Sequence, residues 1–454
     1  MKDDTDFTLV ELVVTIVVLI MIIGVAIPIV ISARGDSVQT LDQATQDLVT
    51  AAAATAEGGG LVHDEMYHSQ YRVETLVETG YLRLPDDKYE LHKDDWVLKN
   101  KESGHYEYYG PREANPDSDF IYETDTMKET GEVFVRITGS VGDSKTVVIP
   151  DEIDGKRVAA IMRGSFDEKG LTDVYMGQGV ERIDEYTFEK NKIKVLYLND
   201  DIVTIEERAF WYNELEAVRM PSKLRNLGRT FTGVAHDGEI FAHNPLKTVD
   251  MIRSEDLKIL YGFSFKNTPL EHVVLPPNLE HLGGHSFRDL DIKEVVIPDS
   301  VTYIGHYAFS NNQLQAISLP ENLTFLGQNA FDGNLLSSVK IPEGITEIRY
   351  GTFLGNRLTE VELPESLEIV GPAAFQNNQL NEVIIPNNVK TIGRYAFGFN
   401  ELGYVELPAS GVTLDDASFA RNHLGWVKHL SKAKKNGNPF SSQSETSRLF
   451  EKFD

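Results

Sequence analysis

The apolar positions in the C-terminal two-thirds of the chain repeat. Phe265, Phe287, Phe309, Phe331, Phe353, Phe375, Phe397 and Phe419 stand 22 residues apart, and Pro276, Pro298, Pro320, Pro342, Pro364, Pro386 and Pro408 keep the same period. Phe241, Phe210, Phe188 and Phe166 continue the register backwards, with about nine extra residues before Phe241 and two before Phe265. A fixed period of this length marks a solenoid whose coils pack only on their neighbours. Twelve coils are predicted, forming a rod or shallow arc about 55 Å long at about 4.8 Å per coil.

The coil from Leu314 to Phe331 shows what each position does. Leu314, Ile317 and Leu319 follow the pattern of a short strand with one buried face, and Pro320 ends its ladder. Leu323 and Leu326 turn inward, and Gly327 is expected to permit a tight bend before Ala330 and Phe331. Three positions after the Phe stands an Asn: Asn191, Asn213, Asn244, Asn312, Asn334, Asn356, Asn378, Asn400 and Asn422. A side chain with both donor and acceptor satisfies backbone groups that a sharp turn leaves unpaired, so this row reads as structural rather than catalytic. The Phe and Leu stripes read as core, because one coil cannot enclose a core alone.

A second pattern occupies the first sixty residues. Leu12 to Ile31 is apolar apart from Thr15, with Gly24 and Pro28 as its helix-weakening residues. Twenty helical residues at about 1.5 Å each span about 30 Å, the thickness of a bilayer core. Val38, Leu41, Thr45, Leu48 and Ala52 continue the run as a helical stripe that stops at Gly58-Gly59-Gly60. A secretory signal would instead combine a basic start, a shorter apolar core and a small-residue cleavage site. Membrane span and stalk are therefore predicted as one long helix.

The repeat resembles BspA-like leucine-rich repeats of bacterial surface proteins. The matching residues are Val295-Val296-Ile297-Pro298, Ile304-Gly305, Ala308-Phe309, Asn312 and Leu314, recurring with small changes to Leu424. Thr146-Val147-Val148-Ile149-Pro150 followed by Gly155-Lys156-Arg157-Val158 looks like an entry coil of such arrays. The resemblance implies a surface-exposed adhesion or ligand-binding array.

Phe7-Thr8-Leu9-Val10-Glu11-Leu12-Val13-Val14-Thr15 resembles the N-terminus of type IV pilins and pseudopilins, with Glu11 fifth and Pro28 twenty-second counted from Phe7. In that family the Glu pairs with the α-amine of a neighbouring subunit and sets assembly register. The alternative is that Glu11 snorkels to the headgroups. The family's peptidase cuts after a small residue, whereas position 6 is Asp6, in a leader that also carries Asp3 and Asp4. Tyr71 to Leu82, followed by Pro85-Asp86-Asp87, resembles the short second helix and Gly-Tyr-Leu turn of major pseudopilins and competence pilins. The expected architecture is multi-module: a leader at 1–6, a pilin-type transmembrane and stalk helix at 7–60, a small α+β pilin-like head at 61–131, a β-rich leucine-rich-repeat solenoid at 132–426, and a cap and tail at 427–454.

Composition narrows the function. The 454 residues carry 43 basic and 70 acidic side chains, a net charge of −27, which repels nucleic-acid phosphates and disfavours that partner. There is no cysteine, hence no disulfide and no thiolate metal site. His63, His68, His92, His105 and His423 lack paired metal-ligand spacing, and no phosphate loop or nucleophile motif is present. Asp86-Asp87, Asp94-Asp95, Asp117 to Asp119 and Glu123 to Asp125 lack calcium-loop spacing and read as solvated loops. No enzymatic activity, cofactor or metal is expected.

The candidate recognition face lies on the solvent-facing strand positions: His272 and Val274, Glu294 and Val296, Ser318, Lys340, Glu360 and Glu362, Glu382 and Ile384, Tyr404 and Glu406. Glu mixed with exposed aliphatic and aromatic side chains points to an extracellular protein or glycan as partner. The other expected partners are the membrane, and pilin or pseudopilin subunits, both through the N-terminal helix. The region from Val427 contains no second apolar span, so anchorage is expected from that helix, with the bulk of the chain extracellular or in a surface filament. Three readings stay open: a minor or tip pilin presenting an adhesive solenoid, a pseudopilin of a type II secretion or DNA-uptake system, and a membrane-anchored adhesin outside any filament.

Overall fold

The computed structural model describes residues 114–228 and 238–442 continuously, and 49–54, 56, 70–72, 76–77, 82, 96–99 and 106–109 before them. The chain divides into two compact units, Met1–Ala114 and Asn115–Asp454. Asp6, Phe7, Glu11, Pro28 and the apolar run 12–31 lie outside the described residues. Among the described residues no helix is long and apolar enough to cross a membrane.

In the first unit, residues 49–54 and 56 are helical, and Val49, Ala52, Ala53 and Ala56 are buried at helical spacing. Gln70–Arg72, Trp96–Lys99 and Tyr106–Tyr109 form an antiparallel sheet in which Tyr71 pairs with Val97 and Val97 with Tyr108. Tyr71 and Arg72 therefore belong to a strand, where the sequence suggested the start of a short helix. Among the described residues, helical geometry in this stretch is found at Leu76 and Val77.

The second unit is a stack of parallel ladders built by the 22-residue repeat. Its entry is a hairpin of Phe120–Thr126 and Val133–Ser140, the latter pairing in parallel with Lys156–Ile161. The outer hairpin strand lies in the same compact unit as the repeats. From Lys156–Ile161 a ladder of two-residue strands runs through Arg182–Ile183, Thr204–Ile205, Asn226–Leu227, Ile259–Leu260, His281–Leu282 and Tyr303–Ile304 to Phe325–Leu326. It resumes from Glu347–Ile348 to Lys434–Lys435. A second side carries the three-residue strands, in short sheets such as Ala217–Arg219, Thr248–Asp250 and His272–Val274, and later Glu382–Ile384, Tyr404–Glu406 and Trp426–Lys428.

The third side is the Phe-centred turn. Its rings stack from Phe166 to Phe440, thirteen in all, with neighbouring centroids 5.1–6.0 Å apart. The solenoid therefore has a thirteenth turn in a region the sequence reading assigned to a cap and tail. Phe440 stacks on Phe419, and Lys434–Lys435 pairs with Thr413–Leu414. The buried rings form one continuous core with the Leu, Ile and Val positions.

Each expected Asn sits in this core and bridges coils. Asn378, for example, donates to the carbonyls of Phe353 and Phe375 and accepts from the Leu358 amide, at 2.9, 3.1 and 3.0 Å. Thr268 and Leu290 take the Asn place in two coils, and the Thr268 hydroxyl donates to Phe265. Gly327 has a different role from the expected bend. A Cβ there would lie 2.4 Å from the Gly305 carbonyl carbon, so the residue is small because the preceding coil's backbone passes directly against it.

Candidate functional site

The three-residue strands set every second side chain towards solvent while the middle one enters the core, as with buried Val383 and Val405 between their exposed or half-buried neighbours. The repeat places equivalent positions of successive coils in two columns, held in register by parallel pairing only where strands form. One column runs through His272, Glu294, Ser338, Glu360, Glu382 and Tyr404, and the other through Val274, Val296, Ser318, Lys340, Glu362, Ile384 and Glu406.

The structure joins only some of these positions by hydrogen-bonded strands. His272 and Val274 pair back towards Thr248 and Asp250. Ser338 and Lys340 register with Glu360 and Glu362. The segments holding Glu294, Val296 and Ser318 have no strand assignment, so the face is a series of short sheets rather than one. Val296 is 84% exposed at that gap.

A three-stranded sheet carries the C-terminal end of the face. Glu382, Tyr404 and Trp426 are in register in one column, and Ile384, Glu406 and Lys428 in the other. Ile384 is 63% and Trp426 49% exposed. Glu406 accepts from the Lys428 ammonium at 2.7 Å and from the Tyr404 hydroxyl at 3.0 Å. These two bonds hold the Glu406 carboxyl below its usual range, and the carboxylate raises Lys428 in turn. Burial, then the bond to Glu406, raises Tyr404. The ion pair and hydroxyl thus fix an apolar and aromatic patch beside the carboxylate of Glu382.

Trp426 and Lys428 were missed in the sequence reading, which ended the repeat between them. Their signal was present: Trp426-Val427-Lys428 follows Tyr404-Val405-Glu406 by the same 22 residues. Elsewhere on the face, Lys340 is 3.7 Å from Glu321. Asp117–Asp119 forms a single 3-10 turn, while Glu123 and Asp125 flank Arg136 at 3.5 and 3.2 Å. Among the described residues no group of three or more His, Asp or Glu side chains is placed to hold a metal.

No curated protein matches this sequence. Among solved structures, a leucine-rich repeat protein from Bacteroides ovatus is 20% identical with a TM-score of 0.37, the match covering 70% of this chain and 99% of that one. A leucine rich cell surface protein from Faecalibacterium prausnitzii is 17% identical, with a TM-score of 0.33 and coverage of 73% and 95%. The pneumococcal vaccine antigen PcpA is 17% identical, with a TM-score of 0.38 and coverage of 72% and 98%. The model of the BspA type leucine rich repeat region matches six copies over residues 159–250, 235–314 and 302–425, more than half of the chain, and the protein belongs to that family.

Proposed function

We propose that this is a non-enzymatic surface protein whose solenoid adheres to an extracellular protein through the strand face ending at Trp426. The observation that carries the reading is the registered patch of Ile384, Tyr404 and Trp426 beside Glu382 and the Glu406–Lys428 pair. Exposed Trp426 and half-buried Tyr404 on a rigid ladder lose little entropy on binding, and such residues dominate binding energy at protein interfaces. Charged neighbours would set orientation rather than affinity. Family membership supports the same reading, since stacked repeats present long surfaces for binding.

The test uses the compact unit 115–454 and a panel of immobilised extracellular-matrix and cell-surface proteins. Binding should fall at least tenfold in the combined variant Ile384→Asp, Tyr404→Ala, Trp426→Ala, with the fold intact by circular dichroism. Unchanged binding in that variant would remove this face from the account. Capture of an exported protein instead of a surface component would favour the secretion reading.

For the N-terminus, we propose anchorage by a pilin-type helix, supported by Phe7, Glu11 and Pro28 at family spacing. Asp6 at the cleavage position favours a second reading, an anchored adhesin that is never processed. Mass spectrometry of membrane-extracted protein separates them. A chain beginning at Phe7 indicates a working pilin, and an intact leader in cells with an active peptidase indicates the anchored form.

A further inference from the structure

Among the described residues, one step of the stack lacks strand pairing on both strand-bearing sides at once. On one side the ladder of two-residue strands ends at Phe325–Leu326 and resumes at Glu347–Ile348. On the other, residues 294–296 and 316–318 form no strand, and the next sheet begins at Ser338–Lys340. No backbone hydrogen bond joins residues 316–327 to residues 338–349. The adjoining steps are bonded. Tyr303 and Ile304 pair with Phe325 and Leu326, and the Gly327 amide donates to the Ile304 carbonyl at 2.9 Å. Glu347 and Ile348 pair with Ile369 and Val370, and the Gly371 amide donates to Ile348 at 2.7 Å. Where the three-residue strands part again, between Glu362 and Ile384, the other ladder is intact, with Ile369 opposite Thr391.

The chain is different at this step. Arg349 follows Ile348 at the place held by Gly305 after Ile304, Gly327 after Leu326, Gly371 after Val370 and Gly393 after Ile392. Those glycines let backbone lie on backbone: a Cβ on Gly371 would stand 2.7 Å from the Ile348 carbonyl oxygen. Arg349 instead brings its guanidinium over the Phe325 ring at 4.7 Å and pairs with Glu347 at 3.0 Å, so side-chain atoms occupy the step. A Cβ alone does not break the ladder, since Asp415 at the equivalent place donates its amide to Ile392 at 2.9 Å. The Phe side stays closed. Phe331 and Phe353 stack at 5.8 Å, the Asn329 amide donates to Tyr350 at 2.9 Å, and Asn356 donates to the Phe331 carbonyl at 2.8 Å. Lys340 and Glu321, exposed and 3.7 Å apart, add little across the step.

We propose that the solenoid consists of two cooperative blocks, residues 115–335 and residues from 336 onward, hinged along the Phe side between the Leu326 and Ile348 coils. In a linear array each coil is coupled only to its neighbours, so the step with the fewest bonds divides the units that open together. A stack held along one side and unbonded along two opens about the held side. The second block carries Ile384, Tyr404 and Trp426 and can turn against the first. The hinge rests on backbone geometry and is independent of what that face binds.

Hydrogen exchange of the full-length protein in detergent, resolved by residue, tests the hinge. The protection factor of the Arg349 amide should be at least tenfold below those of Gly327 and Gly371. In rising sub-denaturing urea, the amides of Phe287 and Phe309 should open at a different midpoint from those of Phe375 and Phe397. Arg349→Gly, which restores the residue of the flanking coils, should bring the two midpoints together. If that variant does not fold, Phe325→Thr, which removes the ring beneath the guanidinium, replaces it with the same expectation. Equal protection at Arg349 would overturn the break, and one midpoint for all four Phe amides in the parent protein would overturn the two blocks. Midpoints that stay apart in the folded variant would overturn the role given to Arg349.

Discussion

Asn334 fastens its coil to the one before it: its Nδ2 donates to the Phe309 carbonyl, 25 residues earlier, at 2.8 Å, and its Oδ1 accepts from the Leu314 amide at 3.1 Å. The side chain is buried and contains no spare polar atom at this contact. Removing it strands an amide and carbonyls inside the core, at about 1–3 kcal/mol per group. Asn334→Ala should therefore lose about 3 kcal/mol in chemical denaturation. A loss below about 0.5 kcal/mol would show that the Asn row is dispensable.

Phe331 lies between Phe309 and Phe353, with ring centroids at 5.4 and 5.8 Å. Phe331→Ala empties a fully buried site and should cost about 3–5 kcal/mol. Hydrogen exchange should rise mainly between residues 315 and 358, because each coil touches only its neighbours. Uniform loss of protection along the solenoid would contradict that local picture.

Thr268 stands where most coils have Asn and donates to Phe265 within its own coil at 2.7 Å. Thr268→Asn supplies the missing carboxamide, able to reach the preceding coil as Asn244 reaches Phe210 at 2.9 Å. A gain of about 1 kcal/mol is expected from the added buried bond. A melting temperature below that of the parent protein would rule it out.

Asp200 gathers the Arg219 guanidinium at 3.1 Å, Arg253 at 3.3 Å and the Ser222 amide at 2.8 Å. Burial alone would push its carboxyl up; Arg219, the Ser222 amide and Arg253 outweigh burial and hold it below the usual value of 3.8. A depressed folded-state value means that the ionised group stabilises the fold above the unfolded value, and that this contribution fades as pH falls through the folded one. Asp200→Asn should cost about 1–2 kcal/mol at pH 7, and the gap from the parent should close below about pH 3.8. A gap independent of pH would assign the loss to packing.

The 22-residue period, the Phe stack and the Asn bridges were legible in the sequence, because a stack of identical coils makes the same contact at the same chain separation every time. The pattern of one coil then dictates the pattern of all. Which sheet a coil joins, and where a sheet breaks, depends on the cross-section of each coil and on the backbone beside it. Only the tertiary structure therefore showed that Gly327 yields to the Gly305 backbone, that Glu294 and Ser318 leave the strand ladder, and that Phe440 adds a turn. It also placed Trp426 beside Tyr404 and set His281, Tyr303 and Phe325 along a second face. Sequence determined the repeat through local, periodic burial; the folded stack decided which exposed side chains become neighbours, since residues 22 apart meet only once the coils are laid on each other.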